Sequence, residues 1–341
     1  MKEAASRVYR CPYTQEELSL EVMERADSEI VQGALRSLAG RIYPIVAGIP
    51  RLIQREEETL GEREAEELAY YEARSAEYDA AMDWLFAAFK ESEDDVRESM
   101  LSQLDVQPGH RVLETGCGTC RDSVRIARRL RGEGQLYAQD LSPEMLALGK
   151  ERLSREPGLG GEVELFVGNA ATLPFADGFF DRAFHFGGLN FFTDIGKALR
   201  EMARVVRIGG RVLVGDEGLA PWLRDTLYGR ILLSSNRLYE HSAPLSLLPE
   251  GSRDVEVRWI LGNAFYLVSF TVGEGAPPVD LDLPIPGARG GTHRSRYFGR
   301  LEGVSPEAKQ LSEQAAKRRG MTLHGWLDAA VRERAEKDLG E

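Results

Sequence analysis

The stretch VLETGCGTCRDS at 112–123 constrains this chain more than any other. An apolar run ends in an acidic residue, turns through Gly-Cys-Gly, and enters a helix that begins near Arg121. Glycines there permit a tight turn and close ligand approach, and the first N–H groups of the helix have no partner within it. Further β-rich runs follow the same plan across 101–275: QLYAQD, VELFVGN, DRAFHFGG, RVLVGD, VEVRWILG and AFYLVSFTV. Strands that alternate with helices predict an α/β fold, a parallel sheet packed between helices. The last two runs are separated only by Gly-Asn-type turn chemistry, which predicts an antiparallel pair at one sheet edge.

Ligands of open α/β sheets sit at the carboxyl ends of the strands. Three ends carry candidates: Glu114, Gly116, Cys117, Gly118 and Asp122 on the first, Asp140 on the second, Asn169 and Ala170 on the third. A dinucleotide site would want G-x-G-x-x-G, and the sequence has G-C-G-T-C-R, with no third glycine to admit a pyrophosphate. Asp140 lies 24 residues after Gly116, where an acidic side chain suits the two hydroxyls of a ribose. The three turns are expected to converge on one nucleoside.

Composition narrows the setting. The chain of 341 residues is long enough for more than one domain, and its 43% hydrophobic and 29% charged residues are those of a globular protein. The longest uncharged stretch, Trp259–Gly273, is too short to span a bilayer, and the start MKEAASRVYR has no apolar segment of the secretory kind. Three cysteines, Cys11, Cys117 and Cys120, cannot build a disulfide framework, so the expected location is cytoplasmic. The net charge of −12 repels nucleic acid at long range, which argues against DNA as a partner.

Five segments separate by composition. Residues 1–54 are mixed and end in IYPIVAGIPRLI. Residues 55–100 have helical spacing, with Leu68, Tyr71, Tyr78, Met82 and Leu85 near one face. Residues 101–275 form the α/β domain, with a long insertion at 217–254. Residues 276–304 are rich in Pro, Gly and Arg and read as a linker. Residues 305–341 read as two helices broken at Gly320, with Ser305 and Thr322 as N-caps.

The ordered series of loops resembles the class I S-adenosylmethionine-dependent methyltransferases, in particular the small-molecule, ubiquinone/menaquinone-type branch, over roughly residues 70–273. VLETGCGTC is similar to that family's acidic-x-Gly-x-Gly-x-Gly loop, with Cys120 standing where the last glycine is usual. ALREMARVVRIGGRVLV is similar to its later helix, turn and fifth strand, with Ile208 in place of the familiar proline. The resemblance implies a Rossmann-like, seven-stranded, mostly parallel sheet with helices on both faces. It implies S-adenosylmethionine as cofactor: Glu114 supporting the amino end of the methionine moiety, Gly116 and Gly118 letting the backbone approach it, Asp140 on the ribose, and Leu141 and Asn169 at the adenine. Tyr71 and Tyr78 either cover the cofactor or pack an amphipathic helix.

Methyl transfer needs alignment and, for some acceptors, a base. Candidates at the strand ends are His185, Asp216 and Glu217. His185 in the apolar run AFHFGG is equally readable as a core residue. The insertion carries Trp222, Tyr228, Tyr239 and His241, which suit a small organic acceptor. Nothing like Asn-Pro-Pro-Tyr follows the fourth strand, which counts against nucleobase amines.

Two flanking pieces resemble other families. CPYT at 11–14 and the Tyr-Pro-Ile…Gly-Ile-Pro hairpin at 43–50 are similar to zinc-ribbon-derived methyltransferase activators. Thr14 stands where a second ligand cysteine is expected, so no metal is expected there. The tail resembles ribbon-helix-helix domains, with HRSRYFGRLEG at 293–303 as the ribbon strand. That resemblance implies a homodimer through the C-terminal segment. Two rivals to the enzyme remain at this point: a cofactor-sensing regulator that binds DNA, and a catalytically silent scaffold that recruits a partner.

Overall fold

A computed structural model describes residues 1–54, 61, 64–66, 69, 77–159, 163–299 and 304–340. Residues Met1–Ala276 form one compact unit and Pro277–Glu341 another.

The first unit is built on a sheet of seven strands: β5 (Arg111–Thr115), β6 (Gln135–Asp140), β7 (Val163–Val167), β8 (Phe180–Phe186), β9 (Val206–Glu217), β10 (Ser252–Ile260) and β11 (Phe265–Val272). Their order is β10-β11-β9-β8-β5-β6-β7. The pairings among β5 to β9 are parallel, and β11 runs antiparallel to both β9 and β10. This is the Rossmann-like arrangement, with an antiparallel edge pair where the Gly-Asn turn predicts one. Leu261, Gly262 and Asn263 all take positive φ between Ile260 and Phe265, which face each other across that turn.

The pleat sends alternate side chains to opposite faces. Leu113, Tyr137, Ala183, Val212, Val214, Tyr266 and Val268 enter one core; Val112, Leu136, Ala138, Phe184, Leu213 and Leu267 enter the other. Both faces of the central strands are covered, so their middles are apolar on both sides, whereas the edge strand β10 has no buried residue. Helices α2 (Glu93–Leu104), α3 (Arg121–Leu130) and α4 (Pro143–Ser154) supply Leu101, Ile126 and Leu146 to the second core. Helix α5 (Ile195–Val205) supplies Leu199 and Met202 to the first. Helix α1 (Tyr78–Phe89) supplies Phe86 to a smaller cluster with Tyr239 and Phe265.

The N-terminal segment is a four-stranded antiparallel sheet of β1 (Ser19–Ala26), β2 (Glu29–Arg36), β3 (Ile42–Val46) and β4 (Ile49–Pro50). Beyond β4, Arg51 bridges Val167 in parallel and the Leu52 N–H donates to the Val167 carbonyl at 2.7 Å. The small sheet therefore covers the open edge of β7, which would otherwise present unpaired backbone groups. Tyr9 completes the join: its ring lies 5.5–6.1 Å from those of Tyr137, Phe166 and Phe175.

In the second unit, Ser305 caps α8 (Pro306–Arg318) and Thr322 caps α9 (Leu323–Leu339) through their side-chain oxygens. The expected ribbon strand at 293–303 is not formed by its described part: His293–Phe298 is a helix, α7. The reason is local. The Ser295 N–H donates to Thr292 Oγ1 at 3.0 Å and the Thr292 N–H donates to Ser295 Oγ at 2.8 Å, a reciprocal cap that starts a helix. Among the described residues no helix is long and apolar enough to cross a membrane.

Candidate functional site

A cavity opens at the carboxyl ends of β5, β6, β7 and β8. Glu114, Gly116, Cys117, Gly118, Asp122, Asp140, Leu141, Asn169, Ala170, His185 and Glu217 all line it. The three loops expected to converge do so. Tyr71 lies outside the described residues, as does the side chain of Tyr78.

The loop after β5 sits against β8. A Cβ built on Gly116 would stand 2.9 Å from His185 Cε1, and φ there is +63°, so both space and conformation require glycine. The Gly118 N–H donates to Asp140 Oδ2 at 2.8 Å, and the Ser142 N–H donates to Oδ1 at 2.9 Å. The Asp140 carboxylate is thereby fixed with lone pairs to spare. Burial pushes its carboxyl up, against the pull of those N–H groups. Asn169 Oδ1 accepts the Ala171 N–H at 2.8 Å, which folds the third loop on itself.

Under this loop the Arg97 guanidinium is shared by Glu93, whose Oε1 accepts from Nε at 2.6 Å, and Asp122, while Ser123 Oγ donates to Glu114 Oε2 at 2.5 Å. Burial and then the charge of Asp122 push the Glu114 carboxyl well up. The Oδ1 atom of Asp122 is buried with no hydrogen-bond partner among the described residues.

The base candidates separate by geometry. Asp216 is fully buried and its carboxylate accepts from the N–H groups of Gly188, Asn190 and Glu217, at 3.3, 2.5 and 2.9 Å. It does not line the cavity; it shapes the 187–190 turn that does. Glu217 and His185 line it. Of the insertion residues, none of Trp222, Tyr228, Tyr239 and His241 lines the cavity. Trp222 packs edge-on to Trp259, Tyr228 Oη donates to the Gly262 carbonyl, and Tyr239 is buried against Phe265. Periodicity has no means of aiming these side chains, because the insertion folds as short helical turns and one helix, α6 (Leu227–Ser235).

Other residues come in that motif reading passed over. Phe186, Phe191, Phe192, Phe265, Met82 and Leu85 give the cavity an apolar side. Glu64 reaches it and accepts hydrogen bonds from the backbone N–H and hydroxyl of Thr193. Gln139, 2% exposed, is a strut: its Oε1 accepts the Gly116 N–H at 3.3 Å, and its amide donates to the Gly168 carbonyl, joining the first loop to the third. Asp79 on α1 accepts from Thr119 Oγ1 at 2.9 Å and from Arg121 Nε at 3.0 Å, and also pairs with Arg152. It fastens α1 over the loop.

Comparison with known proteins gives the following. The model of the ubiE/COQ5 methyltransferase family matches residues 69–217. Demethylmenaquinone methyltransferase of Bacillus mycoides is 37% identical over 117 residues, which are 34% of this chain and 48% of that protein. Ubiquinone/menaquinone biosynthesis C-methyltransferase of Serratia proteamaculans is 40% identical over 109 residues, 32% of this chain and 43% of that protein. The chain thus spans about half the length of the curated relatives it matches. A solved SAM-dependent methyltransferase from Aquifex aeolicus is 19% identical with a TM-score of 0.39, covering 52% of this chain and 89% of that one.

Proposed function

We propose that the chain is a class I S-adenosylmethionine-dependent methyltransferase acting on a small molecule. The observation that carries this reading is the convergence of Gly116–Gly118, Asp140 and Asn169 on one cavity, within the segment that the methyltransferase family model matches. The residues fit the cofactor on independent grounds. The niche at Gly116 admits no side chain, Asp140 is a half-buried carboxylate with lone pairs to spare, and Asp122 Oδ1 and His185 Nε2 are buried with no hydrogen-bond partner among the described residues. A ligand with ribose hydroxyls and an ammonium group supplies donors to such a set.

In this reading Asp140 holds the ribose, and Leu141, Asn169 and Ala170 flank the adenine. Glu114 and Asp122 set the field at the amino-acid end. The cofactor when bound supplies an electrophilic methyl group, and the protein aligns the acceptor for in-line displacement. The Phe186, Phe191, Phe192 and Phe265 side supports an apolar acceptor. Glu217 is our candidate to take a proton from it, since Asp216 is occupied by backbone N–H groups. Three free, buried cysteines support a reducing, cytoplasmic setting. The N-terminal sheet, read as a metal-free relative of the activator modules, serves to cover the β7 edge beside Asn169. The exposed side chains of Leu311, Leu327, Val331 and Leu339 in the second unit support pairing with a second copy. DNA binding loses its ribbon strand to α7.

The test is transfer of label from methyl-labelled S-adenosylmethionine to a metabolite extract, followed by fractionation. Label in the small-molecule fraction is expected. Label confined to protein or nucleic acid, or none above a Gly116→Val control, contradicts the reading.

A further inference from the structure

Gln139 lies at the carboxyl end of β6, paired with β5 on one side and with β7 on the other, so the first and third loops of the cavity flank it. Its side chain is almost fully buried, and its two amide atoms meet partners of opposite kind. Oε1 accepts the Gly116 N–H at 3.3 Å, and Nε2 donates to the Gly168 carbonyl. An amide N–H can only donate and a carbonyl can only accept, so the partners themselves fix which way the side chain points. The main chain at the same place also holds both loops. The Gln139 carbonyl accepts the Cys117 N–H at 2.9 Å, and the Gly168 N–H donates to the Asp140 carbonyl at 3.1 Å. Those backbone bonds are open to any residue at 139. The direct link from loop to loop is not, because it takes an acceptor and a donor on one side chain. A carboxylate lacks the donor and a hydrocarbon lacks both.

We propose that Gln139 is a positioning residue for the cofactor: its amide fixes the spacing between the loop that takes the amino-acid end and the loop that takes the adenine. The proposal rests on the methyltransferase reading and adds to it a residue that makes the two halves of the site one unit. A ligand that meets both ends then binds without ordering one loop against the other, and that saving appears as affinity.

Gln139→Glu tests this because it keeps the shape and the acceptor. Ionised, the new carboxylate still accepts from Gly116 but turns an oxygen towards the Gly168 carbonyl. Protonated, it donates there as the amide does. Burial favours the protonated form, so the change falls above the usual carboxylate range. Asp140, next in the chain, and His185, across Gly116, are present in both proteins, so variant and wild type are compared at each pH. The experiment is calorimetric titration of the full chain with S-adenosylhomocysteine at about pH 8 and about pH 6, with melting temperatures measured alongside. At the higher pH Gln139→Glu should bind about tenfold more weakly than the wild type, and at the lower pH within about threefold of it. Gln139→Leu, which loses both bonds, should be at least about tenfold weaker at both. Wild-type affinity in Gln139→Glu at both pH values, or an equal deficit at both, overturns the proposal. So does a Gln139→Leu variant that melts lower yet binds as the wild type does, which is the mark of a purely structural role. If that variant does not fold, the pH comparison of Gln139→Glu decides. If the wild type does not bind S-adenosylhomocysteine, the cofactor reading itself fails and this proposal falls with it.

Discussion

The loop at 116–122 is held by pairs of residues that no motif couples. Cys120 adopts φ +62° where such loops favour glycine, and a Cβ on Gly149 of α4 would stand 2.4 Å from its sulfur. The absent side chain on α4 makes room for the extra one on the loop. Gly149→Ala should destabilise the protein by about 1–3 kcal/mol through overpacking, and by much less in a Cys120→Gly background. Denaturant titration of the four variants measures the coupling. Glu114 gives a pH prediction. Its folded-state pKa is raised by burial, so above the unfolded value the folded protein holds a proton that the unfolded chain releases. Stability is therefore lost as pH rises above about 4.5, towards the raised value. Glu114→Gln removes that loss and should melt higher than the wild type at neutral pH, with a flatter pH dependence. Equal melting curves would contradict the assignment. At this scale Gly116, Asp140 and Asn169 were legible because strand ends and glycines mark themselves. Gln139 and Gly149 were not, since their roles depend on which loop or helix lies opposite.

Elements fared differently according to how local their causes are. The strands of the seven-stranded sheet and the caps at Ser305 and Thr322 follow from alternation and from side-chain oxygens at the right spacing. At 293–298 the alternating arginines suggest a strand, while the Thr292–Ser295 cap decides for a helix. The join of the N-terminal sheet to β7 is a long-range pairing, and its hairpin motif says nothing of the edge it will cover. Helix α1 is fastened to the site by charge. Asp79 draws together Thr119, Arg121 and Arg152, and its carboxyl is held low by Thr119, Arg121 and Arg152 against the opposing effect of burial. The carboxylate is partly exposed, so each ion pair is worth only about 0.2–1 kcal/mol. Asp79→Ala should leave the fold intact and speed cofactor release by about tenfold as the three contacts go together. Stopped-flow displacement measures this; an unchanged release rate would show that α1 is held by its apolar face alone.

For the whole molecule, the fold class was legible and the acceptor was not. An alternating strand-helix pattern leaves few α/β arrangements, and both sheet faces are buried as such a pattern demands. The apolar side of the cavity, where we propose the acceptor binds, is assembled from α1, the 186–192 turn and β11, which meet only in the folded chain. The second unit bears on assembly. Light scattering of the full chain and of residues 1–276 should give a dimer and a monomer, respectively; monomers for both would remove the proposed pairing. The central claim is that the three loops hold S-adenosylmethionine. Titration of S-adenosylhomocysteine into the full chain and its Asp140→Ala variant tests it most directly. The account predicts one site per chain, a dissociation constant well below about 1 mM, and at least about tenfold weakening in the variant as the ribose hydrogen bonds are lost. No heat of binding up to about 1 mM, or equal affinities for the two proteins, would contradict it.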